Sequence, residues 1–184
     1  MSLEIKEEIS DLPGIANSYH ELGMVAEARG LLDEAQDWCR QVLNIRETLG
    51  PRPLLATDYR LLGNIAQKRG LLDEADDWYR VALAIAEELG NRLAMTEMCR
   101  GLGALAITRG QALPALEWFI RAVTVFSEFP SPVSAPAPEI LAELAGQLGI
   151  HALQQAWQQI TGQPLPQQVR DYVTSQHNNQ SNRP

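Results

Sequence analysis

The sequence predicts an all-α solenoid, in which antiparallel helix pairs follow one another and further helices close the C-terminal end. Three observations carry this. The chain repeats itself with a period of forty residues. Within each repeat, apolar residues recur at 3–4 spacing, the period of a helix with one buried face. Glycines stand at the same two kinds of place in every repeat, inside one helix and between the two.

Residues 11–50 and 51–90 share 21 of 40 positions without a gap, against roughly two or three expected from ordinary composition. Arg29-Gly30-Leu31-Leu32-Asp33-Glu34-Ala35 falls on Arg69-Gly70-Leu71-Leu72-Asp73-Glu74-Ala75. Residues 91–130 keep eleven identities with 51–90, among them Leu102, Gly103, Arg109, Gly110, Ala115, Trp118 and Ala122. The register also runs backwards, because Ser2–Glu8 falls on Ala82–Glu88. Residues 1–10 are therefore expected to be the second helix of a partial repeat. They would form an N-terminal cap or the continuation of a longer array.

Each repeat reads as two helices. The first buries Ala16, Tyr19, Leu22, Gly23 and Ala26, or Ala56, Tyr59, Leu62, Gly63 and Ala66. Gly30 and Gly70 end it, where a left-handed residue is needed. The second opens with Asp33-Glu34 or Asp73-Glu74, whose charges suit the positive end of the helix. It buries Ala35, Cys39 and Val42, or Ala75, Tyr79 and Ala82. Gly50 and Gly90 end it, and Pro51 and Pro53 follow the first of these. Pro114 sits in a first turn, where a missing N–H costs little. Gly23, Gly63 and Gly103 lie in mid-helix, where glycine costs about 0.5–1 kcal/mol relative to alanine. One repeated reason is expected, the close approach of the partner helix. Trp38, Trp78 and Trp118 recur on every second helix. Packing between repeats is the expected role, and an exposed aromatic ladder is the alternative.

The pattern resembles the tetratricopeptide repeat. The residues that carry the resemblance are Leu22-Gly23, Leu62-Gly63 and Leu102-Gly103, the turn glycines Gly30, Gly70 and Gly110, and Ala35, Ala75 and Ala115. Cys39, Tyr79 and Phe119 stand at its aromatic position, and Val42, Ala82 and Ala122 at its last small one. The forty-residue period is similar to the extended, kinesin-light-chain type. The resemblance covers residues 2–129. It implies a right-handed superhelical tetratricopeptide solenoid whose first helices line a concave groove for a peptide or partner helix.

The exposed stripe of each first helix then becomes the groove wall. It comprises Asn17, His20, Met24 and Glu27 in the first repeat, and Thr57, Arg60, Asn64, Gln67 and Lys68 in the second. In the third it comprises Glu97, Arg100, Ala104, Ile107 and Thr108. Arg60 and Asn64 are four residues apart and share a helix face. An arginine grips a carboxylate with two prongs, and an asparagine bonds a peptide N–H and C=O together. Some family members hold a peptide C-terminal carboxylate with such a set, but His20, Met24 and Gly101 leave it incomplete here. The expectation is a looser preference for an acidic peptide, against a groove whose charges serve solubility alone.

After residue 130 the repeats stop. Residues 131–138 read as a proline-rich linker. Residues 139–174 read as C-terminal capping helices with apolar faces at Ile140, Leu141, Leu144, then Leu153, Ala156, Trp157, then Val169, Tyr172, Val173. Docking on another protein is the alternative to capping. Residues 175–184 read as a disordered tail. The segment from Leu148-Gly149-Ile150 through Trp157 to Pro166 looks like the tail of the repeat arm in some large bacterial signalling regulators. That resemblance implies a ligand- or partner-sensing arm whose effector lies elsewhere.

Composition narrows the function. The chain has 184 residues and a net charge of −8, from 23 acidic and 15 basic residues, which disfavours a broad nucleic-acid surface. No run of about 18 apolar residues marks a membrane span. The N-terminus lacks an apolar leader core, and a cytoplasmic location is expected. Cys39 and Cys99 read as core thiols. The histidines lack ligand partners at helical spacing, and no phosphate loop or nucleophile elbow is present. The expectation is a non-catalytic interaction module with no metal or cofactor and a protein or peptide partner. Leu3, Ile5 and Ile9 suggest self-association through the N-terminal helix.

Overall fold

A computed structural model describes residues 11–49, 52–126 and 129–181. The expected half-repeat at 1–10, with Leu3, Ile5 and Ile9, and the terminator Gly50-Pro51 lie outside them. The described residues are helical and contain no strand. They divide into two compact units, residues 1–90 and 91–184.

In the first unit the helices are α1 (Leu12–Ala28), α2 (Leu32–Leu49), α3 (Arg52–Lys68) and α4 (Leu72–Glu88). Helix α1 packs on α2, α2 on α3, and α3 on α4. Asp11 starts α1 by accepting a hydrogen bond from Gly14 N at 3.1 Å. A Cβ at Gly14 would lie 2.1 Å from the Asp11 carboxylate, so a larger residue there would make that carboxylate shift. The turns into α2 and α4 are alike. Gly30 and Gly70 take φ of +76° and +77°, which lets Leu31 N reach Ala26 O and Leu71 N reach Ala66 O, both at 2.9 Å. This is the double hydrogen bond that satisfies the carbonyls at a helix end. Arg69, just past α3, then clips back onto α2 through Gln36 at 2.6 Å and through Asp33.

The core of this unit is Ala26, Ala35, Cys39, Leu61, Leu62 and Ile65, with Trp38, Tyr59 and Trp78 packed around it. Trp38 and Trp78 are half-buried. Each stacks on a tyrosine of its own repeat, Tyr19 at 5.2 Å and Tyr59 at 5.5 Å between ring centres. Packing between repeats is the expected role, and the ring each tryptophan stacks on lies within its own repeat. Leu22 departs from its expected burial and is 38% exposed, while Leu62 at the same repeat position is 5% exposed. Leu62 belongs to the core cluster that includes Ala35 and Cys39 of α2.

In the second unit, α5 (Arg92–Thr108) pairs with α6 (Ala112–Thr124) through a third copy of the glycine turn at Gly110. Asn91 caps α5 by accepting from Ala94 N at 3.1 Å. In this repeat Cys99 stands where Tyr19 and Tyr59 stand in the others, and the Arg121 guanidinium lies over the Trp118 ring. Three further helices follow, α7 (Ala137–Leu148), α8 (Ile150–Thr161) and α9 (Gln167–Ser181). Helices α7 and α8 pack on α6, and α9 packs on α7. They bury Leu141, Leu144, Leu153, Trp157, Val169 and Val173.

The proline-rich stretch contains a short 3-10 turn, Pro132–Ser134, in which the buried Ser134 hydroxyl donates to Ser131 O at 2.9 Å. Helix α9 continues through Ser181 rather than ending at 174. The hydroxyls of Thr174 and Ser175 donate to the carbonyls of Arg170 and Tyr172.

Candidate functional site

The expected groove residues of the first unit lie on α1 and α3, which touch each other directly. They fall into two clusters with different chemistry.

The first cluster is internal. Arg46 of α2 and Asp58 of α3 are 4% and 1% exposed and form an ion pair, with Arg46 Nη1 at 2.6 and 2.8 Å from the two carboxylate oxygens. Two of the expected groove residues complete it. Arg46 Nη2 donates to Asn17 Oδ1 at 2.6 Å, and His20 Nδ1 lies 2.7 Å from Asp58 Oδ1. Taking a guanidinium and a carboxylate out of water costs several kcal/mol each, and close geometry with extra hydrogen bonds offsets that cost. The exposed Asn17 and the half-buried His20 thus each bond one member of the buried charge pair. The sequence reading did not single out Arg46 or Asp58. Their repeat equivalents, the buried Ala86 and Met98, are apolar. A charge at a position where the next repeat is apolar was the available clue.

The second cluster lies one to three turns along α3. Arg60 is half-buried, and Asn64 follows it one turn later. The Tyr79 hydroxyl of α4 lies 2.7 Å from Asn64 Oδ1 and 2.9 Å from Gln67 Oε1. A phenol has one hydrogen to donate, so one of the two amides presents its N–H₂ group to the tyrosine oxygen. Tyr79 is buried and reaches α3 through the space left by Gly63. The pKa of Tyr79 is pushed up to about 12, first by burial. The nearby Arg60 charge opposes this rise and the Glu27 charge adds to it. Lys68 lies 2.6 Å from the Glu27 carboxylate of α1, and its ammonium also donates to the Glu27 carbonyl at 3.2 Å. This ties the C-terminal ends of the two first helices together.

Of the remaining expected residues, Thr57 donates its hydroxyl to Leu54 O at 2.7 Å, and Met24 is 45% exposed. Glu97 and Arg100 lie on α5 in the second unit, exposed and half-buried, on either side of the buried Met98 and Cys99. The aromatic position differs in chemistry from repeat to repeat. It is Cys39, then Tyr79, then Phe119, so among these only the second places a hydroxyl beside its first helix. Among the described residues, no three His, Cys, Asp or Glu side chains are grouped to hold a metal, and no helix is long and apolar enough to cross a membrane.

This architecture, helix pairs joined by identical glycine turns with an aromatic packed against a helix glycine, defines an α-helical repeat protein. Residues 14–88 match the model of the tetratricopeptide repeat family. Two solved structures share the fold. BtubC (BKLC) from P. vanneervenii is 16% identical with a TM-score of 0.69, over 98% of this chain and 80% of that one. A Podosopora anserina protein named as a kinesin light chain, with nearly identical TPR-like repeats, is 18% identical with a TM-score of 0.62, over 98% and 84%. No curated protein matches the sequence.

Proposed function

We propose that the chain is a non-catalytic interaction module whose α1–α3 face binds a peptide or partner helix, with a preference for acidic sequences. Tetratricopeptide repeats generally mediate protein–protein interaction and are generally scaffolds rather than enzymes. The observation that carries the reading is Asn64, fixed by Tyr79 one turn after Arg60. An asparagine held by one end of its amide keeps the other end for a peptide N–H or C=O. A guanidinium beside it favours carboxylates. The ordering is provided before binding, so less side-chain entropy is lost when a peptide docks.

Fluorescence anisotropy with a labelled Asp/Glu-rich peptide, and with its Asn/Gln counterpart, tests this. The acidic peptide binds more tightly to the wild type, and Arg60→Glu weakens it at least about tenfold. Equal affinity of wild type and variant for the acidic peptide would remove the α3 face from consideration. The same measurement with Arg100→Glu asks whether the matching stripe of α5 contributes.

A further inference from the structure

The second unit carries a feature that peptide binding on α1–α3 does not use. Helix α7 ends at Leu148, Gly149 turns the chain with φ +88°, and α8 begins at once with Ile150. Helix α9 crosses this corner, and a cleft of about 380 Å³ opens there. Its walls are Ala145 and Gly146 of α7, Ile150 of α8, and Val173 of α9, and Arg170 lines it as well. Ligand pockets of small molecules begin at roughly 300 Å³, so the cleft suits a small ligand rather than a folded partner.

Arg40, Arg46, Arg52, Arg69 and Arg80 each pair with an Asp or Glu. Arg170 is instead positioned by a neutral group. With the Gln154 amide oriented to satisfy its neighbours, the amide oxygen accepts from Arg170 Nη2 and Nη1 at 2.5 and 3.2 Å, and the nitrogen donates to His151 Nδ1 at 3.2 Å. Among the described residues no carboxylate pairs with Arg170. Its charge is oriented but not neutralised, in a protein of net charge −8. Two of the five guanidinium N–H groups meet Gln154, which leaves donors for an anion.

We propose that this cleft binds a small monocarboxylate with a compact apolar tail, the carboxylate on Arg170 and the tail against Ile150 and Val173. The same chemistry is found in a free carboxylic acid and in the terminal residue of a peptide chain. N-acetyl-leucine, its uncharged carboxamide, and an acetylated pentapeptide ending in leucine serve as probes. They are titrated into the full chain by calorimetry and by NMR of the Ile150 and Val173 methyl groups.

N-acetyl-leucine gives saturable shifts at both methyls, and the carboxamide binds at least about tenfold more weakly, the loss of a charge-assisted contact. Arg170→Met has the same effect on N-acetyl-leucine. Gly146→Leu fills the cleft with a better helix former, keeps the guanidinium, and abolishes binding. Circular dichroism of both variants shows retained helix. Tighter binding of the pentapeptide assigns the site to chain termini, and weaker binding assigns it to free acids; both support the site. Equal affinity for acid and carboxamide, unaltered binding by Gly146→Leu, or no saturable shift would overturn it.

Discussion

Tyr79 and Gly63 occupy one space: a Cβ on Gly63 would lie 2.7 Å from two carbons of the tyrosine ring. The same relation holds between Gly103 and Phe119, also at 2.7 Å. At Gly23 the partner position is the smaller Cys39, and the nearest atom is the tip of Leu61 at 3.3 Å.

Alanine substitution therefore separates the three glycines. Gly63→Ala and Gly103→Ala each overpack against a buried ring and are expected to destabilise by about 1–3 kcal/mol. Gly23→Ala meets only a side-chain end that can shift. It gains about 0.5–1 kcal/mol in helix propensity, so a near-neutral result is expected. Urea unfolding of the three variants checks the order.

Tyr79→Phe removes one hydroxyl and leaves the ring. The stability cost is about 1 kcal/mol, and Phe119 shows that the position accepts the ring without the hydroxyl. Acidic-peptide affinity falls as well, because Asn64 loses its anchor. A variant that loses stability but keeps full affinity would detach Tyr79 from binding.

Alkaline pH probes the same residue. The folded-state pKa of Tyr79 is raised from 10 to about 12, and that of Tyr59 likewise, burial being the first cause in both. A raised acid contributes stability that is full below the unfolded value and is lost as pH rises through the folded one. Stability is expected to fall between about pH 10 and 12, and Tyr79→Phe flattens that slope. Chemical denaturation across the range, wild type against variant, measures it.

Removing one member of the buried ion pair leaves the other without compensation. Asp58→Ala is expected to cost about 3–5 kcal/mol. The double variant Arg46→Ala/Asp58→Met, which installs the residues of the next repeat, costs less than either single change. A double-mutant cycle in urea reads the coupling directly.

Cys39 is buried, and its pKa is pushed up to about 12 by burial first, then by the Asp58 and Glu27 charges. The thiolate is the reactive form. Near pH 8 the native thiol should react with iodoacetamide at least about a hundredfold more slowly than the urea-unfolded one.

The helix pairs and their turns were legible in the sequence because each rests on local rules. Gly30, Gly70 and Gly110 mark turns by backbone conformation alone, and the apolar spacing marks the buried faces. The tetratricopeptide resemblance followed from the same residues. What escaped was chemistry that depends on two distant positions at once. Asn17 and His20 read as part of an exposed stripe, and Asn17 is exposed, yet each bonds one member of a buried charge pair, Arg46 and Asp58, that lies 29 and 38 residues away. Lys68 and Glu27 read as separate members of the groove wall, and Glu27, 41 residues earlier, holds Lys68. The mid-helix glycines pointed to a close neighbour, but only the structure identifies that neighbour as a ring at Gly63 and Gly103.

The Arg46–Asp58 pair also fixes the order of otherwise similar parts. The first repeat supplies the cation and the second supplies the anion, so the pair forms only when these two repeats are adjacent in that sequence. Placing residues 11–50 directly before 91–130 would set Arg46 at a position where Met98 replaces its partner. Two segments alike at 21 of 40 positions are thus not interchangeable, and a shuffled array would carry a buried charge with nothing to answer it.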